Sequence, residues 1–127
     1  MFKEIMICII IIITIFSLDV LTQNFTKNTT SYINNIFKEL KQGILDENKQ
    51  RIDENIKKID DKWNQVHDKL AYYIEHDELE KVDTAIVSIK SFIETDDFSS
   101  AIAEVDVAAF VLEHIQKKNA FNLENIF

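Results

Sequence analysis

Apolar positions along this chain follow two regimes. From Ile5 to Leu18 they dominate without interruption by charge, and eight of these fourteen residues are Ile. Beyond Ser31 they recur at steps of three and four, the spacing that lays one apolar stripe along an α-helix. The first stripe is Ile33, Phe37, Leu40 and Ile44; the second is Ile52, Ile56, Ile59, Trp63, Val66, Leu70 and Tyr73, with Ile74 beside it. Leu79, Val82, Ile86, Ile89 and Ile93 form the third, and Phe98, Ile102, Val105, Ala109, Leu112 and Ile115 the fourth. The pattern predicts an all-α protein: an N-terminal transmembrane helix followed by an antiparallel bundle of about four helices, built as two αα-hairpins. Residues 1–22 are the expected membrane anchor, or uncleaved signal, and residues 23–127 the exported bundle domain.

Breaks between the stripes carry their own chemistry. Gly43 is expected to adopt the left-handed conformation that ends a helix, with Ile44 making the accompanying apolar contact. Asn48 or Asp46 then caps the second helix. Asp77, followed three residues later by Glu80, reads as a carboxylate variant of a capping box that starts the third helix. Asp96 and Asp97 cap the fourth, where negative charge also suits the helix dipole. A shift of 49 residues superposes Ile33, Phe37, Leu40 and Ile44 on Val82, Ile86, Ile89 and Ile93, and Asn48 on Asp97. A whole number of heptads aligns any two such stripes, so only the coincidence of turn and cap argues independently for two similar hairpins.

From Phe2 to Leu21 the first segment is long enough, as a helix, to reach across a thin bilayer, with Lys3 snorkelling toward the headgroups. A retained anchor is favoured over a cleaved signal, because no small-x-small site comes after the apolar run; Val20 and Thr22 supply only a weak substitute. Cys8, the single cysteine, lies inside the run, so it cannot carry a lipid after cleavage or form an internal disulfide. Lys3 on one flank and Asp19 on the other favour the amino terminus inside. The expected location is therefore the cell membrane, in a single pass, with the bulk of the chain extracytoplasmic.

Composition narrows the remaining possibilities. With no Pro and one Gly, the chain lacks the turn chemistry of a β-sandwich or barrel and the glycines of a phosphate loop, dinucleotide fingerprint or nucleophile elbow. A formal charge of −8 opposes nucleic acid as a partner. Residues 22–74 hold nine Lys or Arg against eight acids, whereas residues 75–127 hold four against twelve. The acidic second hairpin reads first as a solvated outer face, and only then as a binding surface. His67, His76 and His114 each have an acid adjacent in sequence, but adjacent helical residues point apart and make poor chelators. No metal site, cofactor or catalytic residue is assigned. A weak divalent-cation site around Glu75, His76, Asp77, Glu78, Glu80 and Asp83 competes with a capped, solvated turn at those residues.

Trp63 and Leu112 are expected in the core and His76 in a structural role at the third helix. The closing residues Phe121, Leu123, Ile126 and Phe127 form an apolar tail that docks on its own bundle or on a partner. Trp63, the run His76 to Leu79, Ile93 with Asp97, the run Glu113 to Ile115, and the closing Leu123 to Phe127 together resemble the domain of unknown function family 4363. Members are short membrane-anchored proteins of Bacillus and Clostridium relatives. That resemblance hints at a membrane partner, such as a YetF-like multipass protein, and offers no catalytic residues to carry over. The resulting expectation is a non-enzymatic, single-pass protein whose bundle binds a protein partner as accessory subunit of a membrane complex. The alternative is a ligand- or divalent-ion-binding sensor acting through a partner.

Overall fold

The computed structural model describes residues 1–124, with side chains through residue 120. Four helices succeed one another: α1 (Phe2–Leu45), α2 (Lys49–Leu70), α3 (His76–Glu94) and α4 (Phe98–Glu124). The all-α bundle expected from the stripes is what the chain forms. At 44 residues, α1 is roughly 66 Å long. It merges two elements that the hydrophobic pattern separates, the apolar segment and the first bundle helix. The polar run between them stays helical because its hydroxyls turn back on the helix: Thr22 donates to the Asp19 carbonyl, Thr26 to that of Thr22 and Thr30 to that of Thr26. With no Gly or Pro in this stretch, nothing breaks the helix.

Only the second half of α1 is buried. From Thr26 onward it presents Thr29, Thr30, Ile33, Phe37, Leu40 and Ile44 to the bundle. Helix α1 lies against both α2 and α4, and α4 against α3. The seam between α2 and α3 is bridged by long side chains, Lys90 to Asp60 and Trp63 to Asp83. The bundle is thus a ring in the order α2, α1, α4, α3, with each helix antiparallel to its sequence neighbour. Its centre holds Phe37, Leu40, Leu70, Leu79 and Leu112, all fully buried. Burial of each large apolar side chain contributes about 1.5–3 kcal/mol, so the core outweighs any single polar contact.

Two turns close the hairpins at the same end, and their hydrogen bonds repeat at an offset of 49. In the first, the Asn48 N–H bonds the Gly43 carbonyl and the Glu47 N–H that of Ile44. The second has Asp97 on Phe92 and Asp96 on Ile93. Both are Schellman motifs, and the left-handed residues are Glu47 (φ 51°) and Asp96 (φ 57°). Gly43 is not the left-handed residue that its type suggests. It sits inside the last turn of α1, buried, where an added Cβ would lie 3.3 Å from Arg51 Cγ. Its smallness lets the Arg51 stem cross α1 and reach Glu39 and Asp46. Asn48 and Asp97 cap α2 and α4, accepting from the N–H groups of Arg51 and Ser100, each at 3.2 Å. The capping box expected at Asp77 and Glu80 does not form, because α3 starts at His76, after Glu75, without a side-chain cap.

Candidate functional site

Two regions of the molecule are set apart from the core, and α1 joins them. The first is the leading half of α1. It is the one helix among the described residues long and apolar enough to cross a membrane, and its most apolar window is entirely unburied. Ile5, Ile10, Ile13 and Leu18 are each more than half exposed, so the apolar surface faces outward all round instead of forming one stripe. Thr14 and Ser17 return their hydroxyls to the carbonyls of Ile10 and Ile13, which leaves little polarity on this surface. Cys8 is exposed on the same segment.

The second region is the end of the bundle where α1 enters it. There the core changes from aliphatic to polar. Thr26, which is 1% exposed, shares a 2.7 Å hydrogen bond with the Tyr73 hydroxyl, and Asn119 Nδ2 donates to Thr26 at 3.3 Å. One turn further, Thr30 donates to Gln116 Oε1. Burial pushes the Tyr73 phenol above its ordinary value, an effect opposed by the bond with Thr26. The layer joins α1, α4 and the segment that links α2 to α3, residues more than 40 positions apart, and so sets how the helices meet at this end.

Beside that layer, Tyr73, Glu75, Glu78, Lys118 and Asn119 line a cavity of about 50 Å³. Glu78 is 8% exposed; its Oε1 lies 3.7 Å from His114 Nε2 and 3.9 Å from Lys118 Nζ. Its Oε2 is buried and has no hydrogen-bond partner among the described residues. Lys118 is held chiefly by Glu75, at 2.9 Å, and that bond keeps its ammonium above the usual lysine range. The space accommodates one or two waters and is far below the few hundred Å³ that a metabolite requires.

The residues singled out by sequence take separate places. Trp63 is buried on α2 and donates its indole N–H to Asp83 of α3. Leu112 lies in the core. His76 is exposed on the first turn of α3, with no hydrogen bond or ion pair among the described residues, because it points away from the helix's apolar stripe. His67, unlike His76, is engaged with the fold: its ring stands edge-on to Trp63 at 5.6 Å, and its Nε2 is 3.3 Å from Asp83 Oδ2. Spacing of four places His67 beside Trp63 on one helix, but the third member, Asp83, is invisible until α2 and α3 are paired. Among the described residues no three His, Cys, Asp or Glu side chains converge to hold a metal. The expected docking of the closing segment through Ile126 and Phe127 lies outside the described residues.

A family model described as Domain of unknown function (DUF4363) matches residues 20–126. The match begins at the end of the apolar segment and takes in all three of the later helices. No curated protein and no solved structure matches the chain.

Proposed function

This chain belongs to the DUF4363 family, and from that premise we propose that it is a non-catalytic, single-pass membrane protein whose bundle binds a protein partner as accessory subunit of a membrane complex. Residues 2–21 are the bilayer anchor, the amino terminus is cytoplasmic, and the bundle stands outside. One observation carries the reading: α1 passes without a break from a segment exposed on every side into the bundle, where it is one of the four core-forming helices. A domain on a flexible tether samples all orientations, whereas a domain whose core helix is also its anchor is held at one height and one angle. That rigidity suits docking against a neighbour that is itself fixed in the bilayer, such as a multipass protein. The alternative, a ligand- or divalent-ion-binding sensor acting through a partner, would draw on the bundle interior or the acidic second hairpin; the 50 Å³ cavity at Glu78 is too small for a metabolite.

The test is fractionation and then capture. Intact chain, with its first residues present by amino-terminal sequencing, should stay with membranes through alkaline carbonate extraction. Capture from gently solubilised membranes should then recover a second membrane protein in constant ratio. A freely soluble product lacking its leader would refute the anchor, and repeated recovery of the chain alone would refute the accessory role.

A further inference from the structure

We infer that the trough between α3 and α4, on the outer face of the second hairpin, is the docking site for an amphipathic helix of a partner protein that carries Lys or Arg along both flanks. This deepens the membrane-subunit reading and rests on it for the partner being a protein. The trough is open and has a volume of about 520 Å³. Ala85 of α3 and Val107 and Val111 of α4 supply its apolar lining, beside Thr84 of α3. Val107 is 48% exposed, and one turn along the same face of α4 Phe110 is 70% exposed. Tyr72, in the α2–α3 link, is more open still at 89%, whereas Tyr32 is covered in part by Lys62 at 5.1 Å.

Charge identifies the occupant. The walls of the trough carry Asp77 and Glu80 from α3 and Glu104 from α4, against the single Lys81. None of these four makes an ion pair among the described residues, although their neighbours Glu75, Glu78 and Asp106 do. An apolar lining between unpaired carboxylates is the complement of a helix with small apolar residues along one face and cations on both sides of it. Helical shape is dictated by the walls, since two antiparallel helices offer a ridge-and-groove surface and no free backbone edge on which a strand could pair. A second copy of this chain is the poorer complement: its first hairpin, residues 22–74, has a net charge of only +1. Anionic headgroups would be repelled by the same walls.

Photocrosslinking in native membranes tests the assignment. A benzoylphenylalanine is placed in the full-length chain at Val107, and in separate chains at Tyr72 and Leu45, which are exposed elsewhere on the bundle. The expected result is an adduct from position 107 that mass spectrometry maps to a helical segment with flanking Lys or Arg. Glu80→Lys with Glu104→Lys should reduce that adduct about tenfold, while Trp63 emission shows that the core is unchanged. An adduct from position 107 to another copy of this chain, or to a segment without cations, overturns the proposal, as does an adduct insensitive to charge reversal. Adducts only from position 72 or 45 overturn the trough and leave the membrane-subunit reading standing. Absence of an adduct at all three positions overturns both.

Discussion

The turn between α1 and α2 places its glycine and its left-handed residue at different positions, and exchanging them makes a quantitative test. Glu47 holds φ 51°, a conformation that costs an L-residue roughly 1–2 kcal/mol. Its side chain makes no hydrogen bond or ion pair among the described residues, so Glu47→Gly forfeits no contact. Against the relieved strain stands the greater backbone entropy of glycine in the unfolded chain, about 0.5–1 kcal/mol. The net expectation is a stabilisation of about 0.5–1 kcal/mol, a rise in Tm of roughly 2–4 °C for a domain of this size. Gly43→Ala acts on the other side of the exchange. Its helical position should return about 0.8–1 kcal/mol in propensity, less the cost of moving the Arg51 stem, 3.3 Å from the new Cβ, by a few tenths of an ångström.

The single tryptophan, buried at position 63, reports unfolding of the bundle without interference from the membrane segment. Urea or thermal titration of the full chain in detergent micelles, read by Trp63 emission, therefore measures all the variants. Asp96→Gly should match Glu47→Gly to within about 0.5 kcal/mol, because the two turns share their backbone pattern. Had Gly43 been the left-handed residue, Gly43→Ala would be strongly destabilising and Glu47→Gly would cost helix propensity. Loss of more than about 1 kcal/mol in both variants refutes the assignment of these turns.

Two polar contacts give further expected outcomes. Asp83→Ala should cost about 1.5–3 kcal/mol, by leaving the Trp63 indole N–H without its charged acceptor, and should shift Trp63 emission in the folded state. Burial raises the Tyr73 phenol above its ordinary value of 10.0, so its contribution to stability is complete below pH 10 and is lost as pH rises through the raised value. Tyr73→Phe should lower stability at neutral pH by about 0.5–1.5 kcal/mol and remove that part of the alkaline decline, which comparison with the parent chain isolates.

Much of the architecture was legible from near-neighbour pattern. The stripes from Ile33 to Ile115 announce four bundle helices, since positions three and four apart share a face whatever the fold becomes. Caps at Asn48 or Asp46 and at Asp96-Asp97 were readable for the same local reason; the structure selects Asn48 and Asp97, whose offset of 49 recurs in the hydrogen bonds of both turns. Glycine at position 43 misleads because residue type suggests a left-handed turn, whereas a close approach by Arg51, eight residues on, accounts for it. The candidate site was barely legible. Glu78 belongs to the acidic run weighed as a weak cation site, but its partners His114 and Lys118 appear only when α4 crosses it, and nothing in the run from Thr22 to Thr30 announces Tyr73 and Asn119 as its partners.

Sequence alone therefore determined the apolar first segment, the helical character of the chain beyond it, the sites of the turns and the acidity of the second hairpin, because each depends on composition or on contacts within one helical turn. Tertiary structure decided that α1 is one unbroken helix, that α4 lies against α1 while polar side chains bridge α2 to α3, and that an apolar trough opens between unpaired carboxylates. Those outcomes rest on pairings between residues 20 to 93 positions apart, as Trp63 with Asp83 and Thr26 with Asn119 show. Only close packing of whole helices selects such pairs, because the stripe on each helix is compatible with several neighbours until volumes and polar groups must be matched together.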